Sequence, residues 1–118
     1  MSANPTSPVV DSSKLDTSSF GRAVTSARKQ LGWSQKDLAS KILKEDGQSI
    51  TPQYLNDIEH DRRSPSSDQL VQQLATIFSI NPDILYGLAG RVPDHVAGNS
   101  AGQIEKAFVA FRRELKSK

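Results

Sequence analysis

The sequence predicts an all-α fold, with five short helices in residues 18–90 and a sixth, amphipathic helix in residues 101–118. Three observations point there. Apolar residues recur at spacings of three and four, the repeat of a helix buried on one face. Ser, Thr or Asn opens most of these runs, twice with Pro directly behind, which is the signature of a helix start. Finally, no stretch between residues 19 and 88 alternates with period two over a useful length, so strands are not expected.

Each element has its own signals. Residues 1–17, rich in Ser, Thr and Pro with few apolar groups, read as a disordered N-terminal arm. Ser18 or Ser19 caps the first helix, whose inward face is Phe20, Val24, Ala27 and Leu31, and Gly32 stops it. Ser34, with Asp37 three residues on, opens a second helix with Leu38, Ala39 and Ile42 inward, running out in residues 44–47. Thr51-Pro52 starts a short third helix with Leu55 and Ile58 inward. Ser66 or Ser67 caps a fourth, carrying Leu70, Leu74, Ile77 and Phe78, and Asn81-Pro82 starts a fifth with Ile84, Leu85 and Leu88. Residues 91–100 read as a linker. Ser100 and Gln103 then form a capping box ahead of the stripe Ile104, Ala107, Phe108, Phe111 and Leu115.

Composition narrows the function. At 118 residues the chain holds one small domain. It has no cysteine, which excludes disulfides, thiolate metal sites and thiol catalysis, and fits a cytoplasmic protein. No run approaches the eighteen apolar residues of a membrane span, and there is no apolar leader, so no membrane role is expected. The net charge of +2 hides a split. Residues 19–95 carry nine Lys/Arg against nine Asp/Glu, whereas the last eighteen carry five against two. A nucleic-acid role therefore rests on where basic groups sit and not on their number.

The second and third helices, joined by a glycine-containing turn, suggest a helix-turn-helix unit. The run FGRAVTSARKQLGWSQKDLASKI, followed by TPQYLNDIEHDRRSPSSDQLVQQLATIFSINPDILYGLAG, resembles the lambda-repressor-like Cro/XRE family of DNA-binding domains. The likeness spans about residues 20–90. It is most specific in LGWSQKDLA, in the IE of the third helix followed by RRSP, and in LATIFSINPDIL.

That resemblance implies a third helix (about 52–60) lying in the DNA major groove, with Pro52, Gln53, Asn56 and Asp57 toward the bases. Gln53 has the carboxamide that pairs with adenine N6 and N7. Asn56 can do the same or hold a phosphate, Asp57 can only accept, as from cytosine N4, and Pro52 offers apolar contact to a thymine methyl. It further implies phosphate contacts from Ser34, Gln35, Tyr54, Arg62 and Arg63, with Gln35 working beside the helix N-terminal amides. Arg28 and Glu59 match a structural ion pair tying the first helix to the end of the third. Two features depart from the pattern: the chain between Ile42 and Thr51 is several residues longer than in compact members, and Asp61 stands where glycine is common.

Enzyme signals are thin. His60 and His95 are far apart and have no cysteine to join, so no metal site or other cofactor is expected; His60 reads as a polar residue at a helix end. No nucleophile elbow, phosphate-cradling loop or dinucleotide fingerprint occurs. The expected function is thus non-enzymatic: a bacterial or phage-encoded transcriptional regulator, most simply a repressor, binding double-stranded DNA as a homodimer on a palindromic operator. The face Ile104, Phe108, Phe111 and Leu115 is read as extending the core, as a dimer contact, or as a site for a protein partner; nearby basic residues such as Lys106, Arg112 and Arg113 also suit phosphates. The competing expectation is a protein-interaction module, an antitoxin or adaptor built on the same fold.

Overall fold

The computed structural model describes residues 9–90 and 99–116. Six α-helices run in order: α1 (Phe20–Gln30), α2 (Gln35–Ala39), α3 (Pro52–Glu59), α4 (Asp68–Phe78), α5 (Pro82–Ala89) and α6 (Ala101–Lys116). Among the described residues there is no strand, only an isolated antiparallel bridge between Leu43 and Ser49. The fold is all-α, as the periodicity predicts.

The caps explain where most helices begin. Ser19, Ser34, Thr51, Ser67 and Asn81 each accept a bond from a backbone N–H of the first turn, satisfying a donor that the helix itself leaves unpaired. At Ser34 the box closes both ways, since the Asp37 carboxylate accepts from the Ser34 N–H at 3.0 Å. Gly32 ends α1 with φ of 75°, a backbone that side chains resist.

Leu38, Ile42, Leu55, Ile58, Leu74, Phe78 and Leu85 are fully buried in one core. α3 lies against α1 and α2, while α4 packs on α5 and on α1. One contact sets how closely α1 and α3 approach. A Cβ added at Gly21 would stand 2.5 Å from the carbonyl oxygens of both Ile58 and Glu59, so only glycine admits this crossing.

Two local expectations change. The arm expected over residues 1–17 is ordered from residue 9 onward: Val10 and Leu15 are buried, the Val10 N–H donates to Phe78 O, and Gln30 exchanges two bonds with the Asp11 backbone. Two apolar side chains and a clasp on α1 supply the anchorage that composition alone did not reveal; residues 1–8 of that expected arm lie outside the described residues. α2 ends at Ala39 instead of continuing toward residue 44. The next amides tighten into three-residue bonds (Lys41 N–H to Leu38 O, Ile42 N–H to Ala39 O). Beyond them the Leu43 N–H and C=O are taken by the Gln73 carboxamide on α4, both at 2.8 Å. The long segment to Thr51 is consequently a small hairpin, pinned by Lys44 N–H to Gln48 O and Ile50 N–H to Ile42 O, with Ile50 buried beneath it. Finally, of the expected 91–100 linker, residues 91–98 lie outside the described residues.

Candidate nucleic-acid interface

α3 presents a short polar face whose direction follows from its two ends. Thr51 Oγ1 accepts from the Tyr54 N–H at 3.0 Å, and Pro52 occupies the first turn with the φ a helix needs. Leu55 and Ile58 are fully buried, which turns Pro52, Gln53 and Asp57 outward. At the far end the chain leaves α3 through Asp61, held at φ of 59°. Such a backbone costs a side chain free energy, but Asp61 is fixed by its own carboxylate, which accepts from Ser19 Oγ at 2.6 Å and from the Gly21 N–H at 2.9 Å. The residue that stands in place of glycine thus clasps the start of α1 and aims the Arg62-Arg63 segment beside α3.

Beneath this face lies a buried polar knot. Arg28 grips Glu59 with two bonds, 2.7 and 2.9 Å, and donates a third to Trp33 O at 2.8 Å. Burial pushes the Glu59 carboxyl up, but the bonds from Arg28 and Gln35 outweigh it and hold the carboxyl below its ordinary range. Gln35, expected to meet a phosphate, turns inward here: its Nε2 donates to Glu59 Oε1 at 3.0 Å and to Asn56 Oδ1 at 3.1 Å. The reason is local, since the Glu59 carboxylate has an acceptor that Arg28 alone leaves under-used, and a neighbouring amide fills it. Asn56 is half-buried and tied into the same knot. Ser34 spends its oxygen on the α2 cap.

Asp57 organises the exposed part. Its carboxylate accepts from Gln53 Nε2 at 3.1 Å and Arg62 Nε at 3.2 Å, and lies 3.9 Å from Arg63 Nε. Its backbone C=O accepts the N–H groups of both arginines. The Arg63 guanidinium also covers the Tyr54 ring, 5.5 Å from its centroid. The predicted base-facing and phosphate-facing residues Gln53, Asp57, Tyr54, Arg62 and Arg63 are therefore neighbours on one surface, and Asp57 offsets one of the two positive charges there. Pro52 stands exposed at its edge.

Three features escaped the sequence reading: the Asp57 clamp, the inward turn of Gln35 and the hairpin at residues 43–49. The first left a signal, since Gln53 and Asp57 are four apart and share a helix face, and the third left one in the extra length between Ile42 and Thr51; the turn of Gln35 left none. Beside the hairpin, Lys41 covers the Trp33 ring at 4.7 Å. An open groove of about 670 Å³ runs between the hairpin and the α3–α4 segment, lined by Leu43, Glu45, Asp46, Ile50, Tyr54 and Leu70 among others. Among the described residues no group of His, Asp and Glu is arranged to hold a metal ion, and no helix is long and apolar enough to cross a membrane.

Comparison with known families matches the chain to a helix-turn-helix model over residues 25–85, which takes in α2, α3 and the whole of the face just described. Neither the curated proteins nor the solved structures give a match.

Proposed function

The chain belongs to the Cro/C1-type helix-turn-helix family, whose members are DNA-binding transcription regulators, and from this premise we propose that it is a repressor that reads a palindromic operator as a homodimer. α3 enters the major groove with Gln53 leading and Asp57 behind. Arg62, Arg63 and the Tyr54 hydroxyl take phosphates on one flank, and the N-terminal end of α2 meets the backbone on the other. The observation that carries this reading is the exposure of Gln53 at the capped start of α3, next to two arginines, on a helix whose opposite side is locked into the core.

Gln35 acts in this scheme from inside. It holds Asn56 and Glu59, setting the rotation of α3 about its axis, so that Gln53 and Asp57 face out together. Gln53 and the arginines exchange their bonds to Asp57 for bonds to bases and phosphates. Asp57 then reads a cytosine N4 or keeps the face from holding any duplex indiscriminately.

A second reading, a module that binds a protein, draws on that same partly offset charge and on the apolar side of α6, which the core leaves uncovered. Selection of bound duplexes from a random pool, repeated with Gln53→Ala, separates the two. A palindromic motif that relaxes at one base of each half-site in the variant is the expected result. Failure to retain DNA even at low salt refutes the repressor reading and leaves the protein-binding one.

A further inference from the structure

α6 carries more apolar surface than its own domain covers. Phe108, Phe111 and Leu115 remain 40%, 50% and 61% exposed, although the tip of the Phe111 ring lies over Gly87 of α5. The helix is firmly started: Ser100 Oγ accepts from the Gln103 N–H at 3.2 Å, and Gln103 Oε1 accepts from the Ser100 N–H at 3.1 Å. Ile104, Phe108, Phe111 and Leu115 are spaced four, three and four, which makes them a d-a-d-a seam over two heptads. A stripe this narrow, standing in solvent, fits a facing helix of the same kind better than a broad core.

We propose that α6 is covered by α6 of a second copy, the two helices running antiparallel. The charges flanking the seam choose the orientation. Glu105 and Arg112 occupy the two e positions, both exposed. In an antiparallel pair e faces e′, which sets each Glu105 against Arg112 of the other copy, twice by symmetry. On the other flank Ala107 and Glu114 stand at the two g positions, and the antiparallel pair sets each Glu114 against the small Ala107 of the other copy, with no like charges opposed. A parallel pair faces g with the following e′, which sets Ala107 against Arg112 and gains no ion pair. The antiparallel register layers Ile104 on Leu115 and Phe108 on Phe111 of the other copy. A seam of four side chains per copy is small, so the dimer depends on concentration. The proposal rests on the homodimer reading above and supplies its contact.

The absence of cysteine makes the orientation directly measurable. Residues 104 and 115 are eleven apart, about 16 Å along a helix, beyond the roughly 7 Å that a disulfide spans. In the antiparallel dimer, Leu115→Cys alone does not cross-link on oxidation, whereas Ile104→Cys combined with Leu115→Cys does. Sedimentation of the full chain is expected to show self-association over roughly micromolar to several hundred micromolar concentrations. Phe108→Ser, E105R and R112E should each weaken it about tenfold or more, and mixing E105R with R112E should restore it, since every pair across the seam is then of opposite sign. Glu105, Phe108 and Arg112 are exposed, so the thermal transition of the core should stay in place in these three variants and unfolding cannot stand in for lost association. A wild-type chain that stays monomeric overturns the proposal. So does a dimer indifferent to Phe108→Ser, one insensitive to the charge reversals, or efficient cross-linking by Leu115→Cys alone. DNA reading is scored separately: a monomeric Phe108→Ser variant should still bind a single half-site, while Gln53→Ala should lose base preference yet still dimerise.

Discussion

Replacing Asp57 by Asn removes one charge from the α3 face while keeping its shape and the oxygen that accepts from Gln53. In the free protein the carboxylate lies 3.2 Å from Arg62 Nε and 3.9 Å from Arg63 Nε, and its side chain is 23% exposed. Ion pairs between side chains as open as these two arginines contribute about 0.2–1 kcal/mol each, so releasing both removes roughly 0.5–1.5 kcal/mol of competition with DNA. With α3 docked as proposed, the same carboxylate also stands near phosphates of the duplex. At about 7 Å, in a medium between protein surface and water (ε about 40–80), that repulsion is roughly 0.6–1.2 kcal/mol. The two effects have the same sign. Asp57→Asn should therefore bind a random duplex about five- to hundredfold more tightly, while the fold loses no more than the roughly 0.5–1.5 kcal/mol of the released pairs.

Fluorescence anisotropy with a labelled duplex of scrambled sequence, titrated at several salt concentrations, reads both consequences. Affinity should rise, and the slope of log K against log salt should steepen by about 0.9 for each additional phosphate that a freed arginine engages. Preference for the selected operator over random duplex should shrink, because the indiscriminate background gains more than the specific complex does. Unchanged affinity together with an unchanged slope refutes the reasoning: either the arginines are not held by Asp57 in solution, or this face does not meet DNA.

Three other substitutions probe what holds the face in place. Gly21→Ala puts a methyl 2.5 Å from two backbone carbonyls of α3 and should cost about 1–3 kcal/mol in chemical denaturation, with α3 displaced from α1. Gln73→Ala leaves the Leu43 N–H and C=O without their side-chain partner. It should cost about 1–2 kcal/mol and expose the Leu43 amide to rapid hydrogen exchange while α4 stays protected. Glu59→Gln leaves Arg28, a largely buried cation, without its counter-charge and should destabilise by about 3–5 kcal/mol at neutral pH. Because the folded Glu59 carboxyl sits below its ordinary value of 4.5, the stability it contributes is present above that pH and is lost as pH falls through the lowered value. The gap between wild type and Glu59→Gln, followed by thermal melts, should accordingly be constant above about pH 5 and close steadily below 4.5. A gap that persists unchanged into acid would mean that the charge on Glu59 is not what binds Arg28.

What the sequence made legible and what it hid differ by distance along the chain. Caps and apolar spacings act within one turn, so Ser34, Thr51 and Asn81 could be read directly, Ser19 and Ser67 to within one residue, and with them the inward faces of α1, α3 and α4. The Arg28–Glu59 pair spans 31 residues and came only from resemblance to a family, since no local rule pairs side chains that far apart. Where the chain leaves that family's pattern, resemblance had nothing to offer. Both departures turn out to be closed by side chains bonding to distant backbone: Asp61 to the Gly21 amide 40 residues away, and Gln73 to Leu43 30 residues away. These two clasps sit at opposite ends of α3, one fixing the turn that follows it and the other the hairpin that precedes it. A longer entry and a side chain in place of glycine would each loosen α3 if left alone. Clasped at both ends, with Gln35 tied to Asn56 and Glu59 beneath it, α3 keeps a single rotation, and the choice of which residues face outward is made before any DNA arrives.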